Sequence, residues 1–93
     1  MSETTIKRTL LIVNPKGLHA RASRKFAEVA LNYDARIIVR RDDSEADATS
    51  LMDLMMLGAG VGATIDVEAE GSQAEEAMAA LSALVEDGFG ERD

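Results

Sequence analysis

His19 is the only histidine among 93 residues, and it stands in the run Gly17-Leu18-His19-Ala20-Arg21-Ala22-Ser23, where an extended stretch gives way to a helix. Arg21, Arg24 and Lys25 fall within the first two turns of that helix. A helix start carries unpaired N–H donors and a partial positive charge, so it attracts anions. Cations added at that end are locally unfavourable, and an arriving phosphate or carboxylate relieves them. The spacing therefore points to an anion site built around an imidazole. Its plainer reading is an exposed residue that merely helps to cap the helix.

Two other sets of residues compete for chemistry and lose. Gly58, Gly60 and Gly62 suggest a phosphate loop, but no Lys-Ser/Thr follows and the next element is a strand instead of a helix, so they read as turn residues. With no cysteine and one histidine, a transition-metal site is not expected, and neither is a disulfide.

The formal charge of −7 conceals a division along the chain. Residues 1–41 hold nine basic and three acidic side chains, whereas residues 42–93 hold one basic and fourteen acidic ones. A general nucleic-acid binder needs a much larger positive field, so that class is disfavoured. A compact basic patch on an acidic body suits docking onto an acidic protein surface. No apolar run approaches the length that spans a bilayer, and MSETTIKRTL is too polar for a secretory signal. The expectation is a cytoplasmic protein without membrane association, folded over 1–93 as one small domain.

These residues need elements to position them. Thr4 to Val13 reads as a strand, and Asn14-Pro15-Lys16-Gly17 as turn chemistry. A helix from Ala20 to Asn32 buries Ala22, Phe26, Val29, Ala30 and Tyr33 and turns Arg21, Arg24, Lys25 and Glu28 outward. A strand over Ala35–Arg41, a turn at Asp42-Asp43-Ser44 and a short strand over Glu45–Ala48 make a hairpin. Ser50 and Asp53 form a capping box that opens a helix from Leu51 to Leu57. Ala63 to Glu70 alternates apolar and polar residues, the mark of a sheet with one wet face. A second capping box, Ser72 with Glu75, opens the last helix, which has Ala74, Ala77, Met78, Leu81, Leu84 and Val85 as its core stripe, ends near Asp87 and is capped by Gly88. Only the last few residues look free to fray. The order β-α-β-β-α-β-α with one-sided strands predicts an α+β fold, an open-faced β-sandwich: a four-stranded antiparallel sheet covered on one face by three helices.

Leu51, Met52, Leu54, Met55, Met56 and Leu57 make the short helix apolar on almost every side. A helix of that length buries about half of them, with Leu54 and Leu57 the candidates for the core. The rest form an exposed patch that calls for a partner.

The element order, the segment Gly17-Leu18-His19-Ala20-Arg21 and the stretch from Ser50-Leu51-Met52 to Leu57-Gly58 resemble HPr, the histidine-containing phosphocarrier of the bacterial phosphoenolpyruvate-dependent phosphotransferase system. The tail from Ile65-Asp66-Val67-Glu68-Ala69 to Gly88-Phe89 looks closest to the nitrogen-related branch, NPr. The resemblance implies a relay and not an enzyme. Enzyme I, charged by phosphoenolpyruvate, would phosphorylate His19 at Nδ1, and an EIIA protein would receive the phosphoryl group. It makes Arg21 the active-site arginine, with the N–H groups at Ala20 and Arg21 holding phosphoryl oxygens. Leu51, Met52 and Met55 fall on the docking surface, and Arg24 is read as joining them.

Ser50 matches the serine that HPr kinase phosphorylates in some relatives, but its capping role accounts for it and is favoured. One departure stands out: the family pattern continues Arg-Pro-Ala, and here Ala22-Ser23 follows Arg21. Alanine keeps the helix and restores an N–H that proline lacks, so the chemistry should persist with altered rigidity or partner preference. Together with the NPr-like tail, this points toward signalling instead of sugar uptake. No cofactor is expected, and transient docking suits a monomer. Two alternatives stay open: a regulatory module whose phosphorylation state controls a target enzyme, and a domain that binds an anionic metabolite without a covalent step.

Overall fold

The computed structural model describes residues 5–91. Strand β1 (Thr5–Leu11) leads into helix α1 (Ala20–Leu31), then the hairpin β2 (Arg36–Arg41) and β3 (Ser44–Asp47), helix α2 (Leu51–Met56), strand β4 (Thr64–Glu70) and helix α3 (Ala74–Glu86). The sheet is antiparallel throughout, in the order β1-β4-β2-β3. Every expected element is present, with boundaries within one residue at most ends; Thr4 lies outside the described residues.

Alternation decides which side of the sheet is dry. Leu10, Ile65, Val67, Ala69, Ile37 and Val39 are buried beneath the helices. Lys7, Thr9, Asp66, Arg40 and Glu45 face water on the other side, where opposed pairs such as Thr9–Asp66 and Arg40–Glu45 sit in register. A shift of one residue would exchange the two sets, so burial fixes the register.

Helix α1 buries Ala22, Ser23, Phe26, Ala27 and Ala30; Ser23 and Ala27 join the expected stripe, whereas Val29 and Tyr33 are only partly buried at its edge. Ser23 is tolerated inside because its hydroxyl donates to the Leu18 carbonyl at 3.0 Å. Helix α2 has only six residues, too few to hold a helix alone, and depends on its cap and on buried Leu54. Leu54 and Leu57 are in the core, as expected.

Two expectations need correction. Ser72 does not cap α3: the N-cap is Gln73, which makes no side-chain cap bond, and the Ser72 hydroxyl turns to the Asp34 carboxylate. Gln73 also accepts from the Asp34 N–H at 2.7 Å, so this corner joins two loops instead of closing a helix end. Of the last few residues, expected to be free, Arg92 and Asp93 lie outside the described residues, whereas Gly88 to Glu91 are tied to the rest of the fold. After α3 the chain makes a short 3-10 turn at Gly88–Gly90, and Phe89 drops fully into the core. Gly88 does take the left-handed conformation expected of a helix-ending glycine, φ 62°.

Candidate functional site

The turn before α1 is built to hold one residue still. The Gly17 N–H donates to the Asn14 carbonyl at 3.0 Å, and Asn14 Nδ2 donates back to the Gly17 carbonyl at 2.8 Å. Gly17 has φ 65°, and a Cβ there would lie 2.6 Å from the Ala59 carbonyl oxygen, so only glycine fits. The next N–H, on Leu18, donates to that same Ala59 oxygen at 2.8 Å. The loop following α2 thus clamps the turn that presents His19.

His19 is the N-cap of α1, in extended conformation (φ −75°, ψ −176°). Its Nδ1 accepts the Arg21 N–H at 3.2 Å, in place of the hydroxyl or carboxylate that usually caps a helix. The first intrahelical bond runs from the Ser23 N–H to the His19 carbonyl at 2.8 Å. Its Nε2 meets the carboxylate of Glu91, 72 residues later in the chain. The other carboxylate oxygen of Glu91 accepts from Asn14 Nδ2 at 3.2 Å. Glu91 is held below the ordinary carboxylate range chiefly by the His19 hydrogen bond, against the opposing effect of burial, with Asn14 and the charge of Lys16 adding to it.

A concavity of about 580 Å³ opens here, lined by Lys16, His19, Ala20, Arg21, Lys25, Gly90 and Glu91. Three cations and a helix start converge on it, and α1 has no acid in its first turn. Among the described residues the Arg21 guanidinium makes no ion pair. Lys25 departs from the outward face expected for it: its Nζ donates to the Phe89 carbonyl at 2.6 Å and ties the C-terminal turn to α1. A planar nitrogen nucleophile, a helix start, a guanidinium and an opposing carboxylate can bind and exchange a tetrahedral anion.

His19, Ala20 and Arg21 are therefore brought together as expected. The Arg21 N–H, however, is occupied by the ring and not open to a ligand. Arg24 lies outside the concavity, exposed, and pairs with Glu28 at 3.2 Å. Leu51, Met52, Met55 and Met56 are exposed, Met52 by 69% and Met56 by 78%, on a helix packed against α1. Ser50 caps that helix by accepting the Asp53 N–H at 3.2 Å. Sequence reading missed Glu91 and the second role of Asn14. No spacing rule joins a tail acid to a histidine at the other end of the chain.

A second hollow, about 380 Å³, lies on the open sheet face. Its acids already have partners: Arg40 donates to Glu68 at 2.6 Å and to Glu45 at 3.1 Å, and Thr9 to Asp66 at 2.6 Å. Glu68 is held below the usual carboxylate range by Arg40. Such a ladder stabilises a solvated face and leaves little for a ligand. No helix among the described residues is long and apolar enough to cross a membrane.

Residues 6–87 match the family model described as the PTS HPr component phosphorylation site. The chain is 43% identical over 86 residues to phosphocarrier protein HPr of Cupriavidus necator, covering 92% of this chain and 97% of that one. It is 44% identical over 88 residues to phosphocarrier protein NPr of Escherichia coli, covering 94% and 98%. These identities differ too little to separate the two branches. Among solved structures, HPr-C-His of Thermoanaerobacter tengcongensis superposes with a TM-score of 0.90 at 38% identity, over 95% of this chain and 99% of that one.

Proposed function

The chain belongs to the HPr family of phosphocarriers, and from that premise we propose that Nδ1 of His19 accepts a phosphoryl group from phosphorylated Enzyme I and passes it to an EIIA protein. The observation that carries this reading is the double engagement of the ring. Nδ1 accepts a backbone N–H, so it bears a lone pair, while Nε2 faces a carboxylate. In transfer, that lone pair forms the bond to phosphorus as the bond from phosphorus to the donor breaks. The Arg21 N–H then gives up Nδ1 and meets a phosphoryl oxygen, and the Ala20 N–H, at the first helical position without an intrahelical acceptor, meets another. The Arg21 guanidinium neutralises charge from the solvent side. Phosphoryl transfer asks chiefly for such positioning and charge compensation.

Docking falls to the patch beside the site. Leu51, Met52 and Met55 offer an exposed apolar surface, with Met56 extending it, and exposed Arg24 on α1, against which α2 packs, joins them in docking. Flexible thioether side chains suit a surface that must meet a donor and an acceptor in turn. The protein acts as a monomer, one domain over 1–93, in the cytoplasm. Ser50 serves first as the α2 cap; a phosphate there would replace the bond to the Asp53 N–H and place negative charge beside the docking patch.

The test uses Enzyme I and phosphoenolpyruvate labelled in its phosphate. Acid-labile label on the wild type, none on His19→Ala, and discharge on adding an EIIA protein are expected. An unlabelled wild type would sink the proposal. Label that no EIIA discharges would favour instead a module whose phosphorylation controls a target enzyme.

A further inference from the structure

We propose that Asn14 and Glu91 are positioning residues for this transfer: Asn14 places the Glu91 carboxylate, and the carboxylate holds the His19 ring with its proton on Nε2 and its lone pair toward the helix start. This rests on the reading of His19 as the phosphoryl acceptor.

Asn14 is only 3% exposed. Its Nδ2 lies between two acceptors, the Gly17 carbonyl at 2.8 Å and Glu91 Oε1 at 3.2 Å. A flipped amide would set oxygen against both, so the orientation is forced. That orientation leaves Oδ1 buried without a partner among the described residues. An unpaired buried acceptor is unfavourable, and the amide accepts that cost to direct one N–H at the turn and the other at the tail.

The tail is anchored so that its acid arrives in place. Phe89 is fully buried, and its carbonyl takes the Lys25 ammonium at 2.6 Å. Phe89 and Gly90 both adopt left-handed backbone, φ 59° and 72°, which curls the chain back over α1. Glu91 then reaches Nε2 of His19 from the side opposite Arg21.

The two bonds to the ring agree about its proton. A nitrogen that accepts the Arg21 N–H cannot itself carry hydrogen, and a nitrogen facing an ionised carboxylate must donate. Both conditions select hydrogen on Nε2. When Nδ1 bonds to phosphorus and the donor bond breaks, the ring gains positive charge while keeping that proton. The Glu91 carboxylate sits where this charge develops, so it stabilises the transferring state without any proton leaving the ring. Glu91 thus acts on the rate through His19, and Asn14 acts through Glu91.

The test joins a spectroscopic readout on the unphosphorylated protein to transfer kinetics. In 15N-labelled wild type, long-range 1H–15N spectra should show hydrogen on Nε2 and a slowly exchanging Hε2 resonance. Glu91→Ala should lose that resonance to exchange, Glu91→Gln should keep it, and Asn14→Asp should broaden it. Phosphoryl uptake from Enzyme I should fall roughly tenfold to a hundredfold in the maximal rate for Glu91→Ala, about as far as one charge-assisted hydrogen bond allows, with KM unchanged. Glu91→Gln should recover part of that loss. An unchanged Hε2 resonance in Glu91→Ala, or a loss in KM alone, overturns the proposal. Because the spectra need no donor, a wild type that shows the bond yet takes up no phosphoryl group would count against the functional reading and not against the ring geometry.

Discussion

The starts of α1 and α2 solve the same problem by opposite means. At α2, Ser50 accepts the Asp53 N–H, and Asp53 places an acid in the first turn to oppose the helix dipole. Everything needed lies within four residues. At α1 the cap is an imidazole, the first turn holds no acid, and the balancing carboxylate arrives from Glu91, 72 residues away. The local solution is a structural one, complete within the segment that it caps. The long-range solution leaves a helix start whose anion is supplied by another part of the fold, beside a titratable ring and cations that a phosphate can claim. A site that must receive and release an anion calls for the second arrangement.

The sharpest way to break the contrast is to release the tail. Phe89→Ala removes a fully buried ring and should cost about 3–5 kcal/mol by urea unfolding, while freeing Glu91 from His19. The α2 cap should be untouched, so amide exchange at Asp53 should change only with global stability. The clamp beneath His19 comes next. Gly17→Ala meets the Ala59 carbonyl and a left-handed backbone together and should cost about 2–4 kcal/mol. Gly58→Ala, also left-handed but with open space around it, should cost about 1 kcal/mol in the same assay. A similar cost for both would show that contact with the α2 loop does not hold the turn.

How far these features can be read from sequence follows the same division. Alternation in Thr64–Glu70 and the helical stripe around Phe26 specify a one-sided sheet and its covering helices, because burial acts on every second or every third and fourth residue. The Ser50 cap is legible because its partner is three residues away. Ser72 has the same pattern and misleads: Asp34, distant in sequence, is nearer in the fold and takes the hydroxyl. His19, Ala20 and Arg21 are adjacent in sequence and so come together, whereas Glu91 and the bond from Asn14 to it depend on where the last helix ends. Phe89 was the available signal, a lone aromatic near the end of a chain that has only three.

Smaller effects refine the contrast. Ser50→Ala should cost about 1 kcal/mol, with the loss confined to α2 and its exposed methionines in amide exchange. Loss of protection at α1 would mean that the two starts are not independent. Acid separates them as well. The folded-state pKa of Glu91 lies below its ordinary value of 4.5, so the tail contact contributes stability above that value and loses it as pH falls through the lowered one. Protection of the Gly90 and Glu91 amides, relative to their intrinsic exchange rates, should therefore fall as pH drops through the lowered value, and in His19→Ala the 13C titration of the Glu91 carboxyl should return toward 4.5. An equal titration in both proteins would remove the histidine as the cause.

The central claim is that the ring nitrogen facing the helix start receives the phosphoryl group. Coupled 31P–15N spectra of protein charged by Enzyme I and phosphoenolpyruvate test it directly. One phosphorus is expected, coupled to Nδ1 of His19, with hydrogen still on Nε2. Phosphorus on Nε2, or on a hydroxyl such as Ser50, would contradict it.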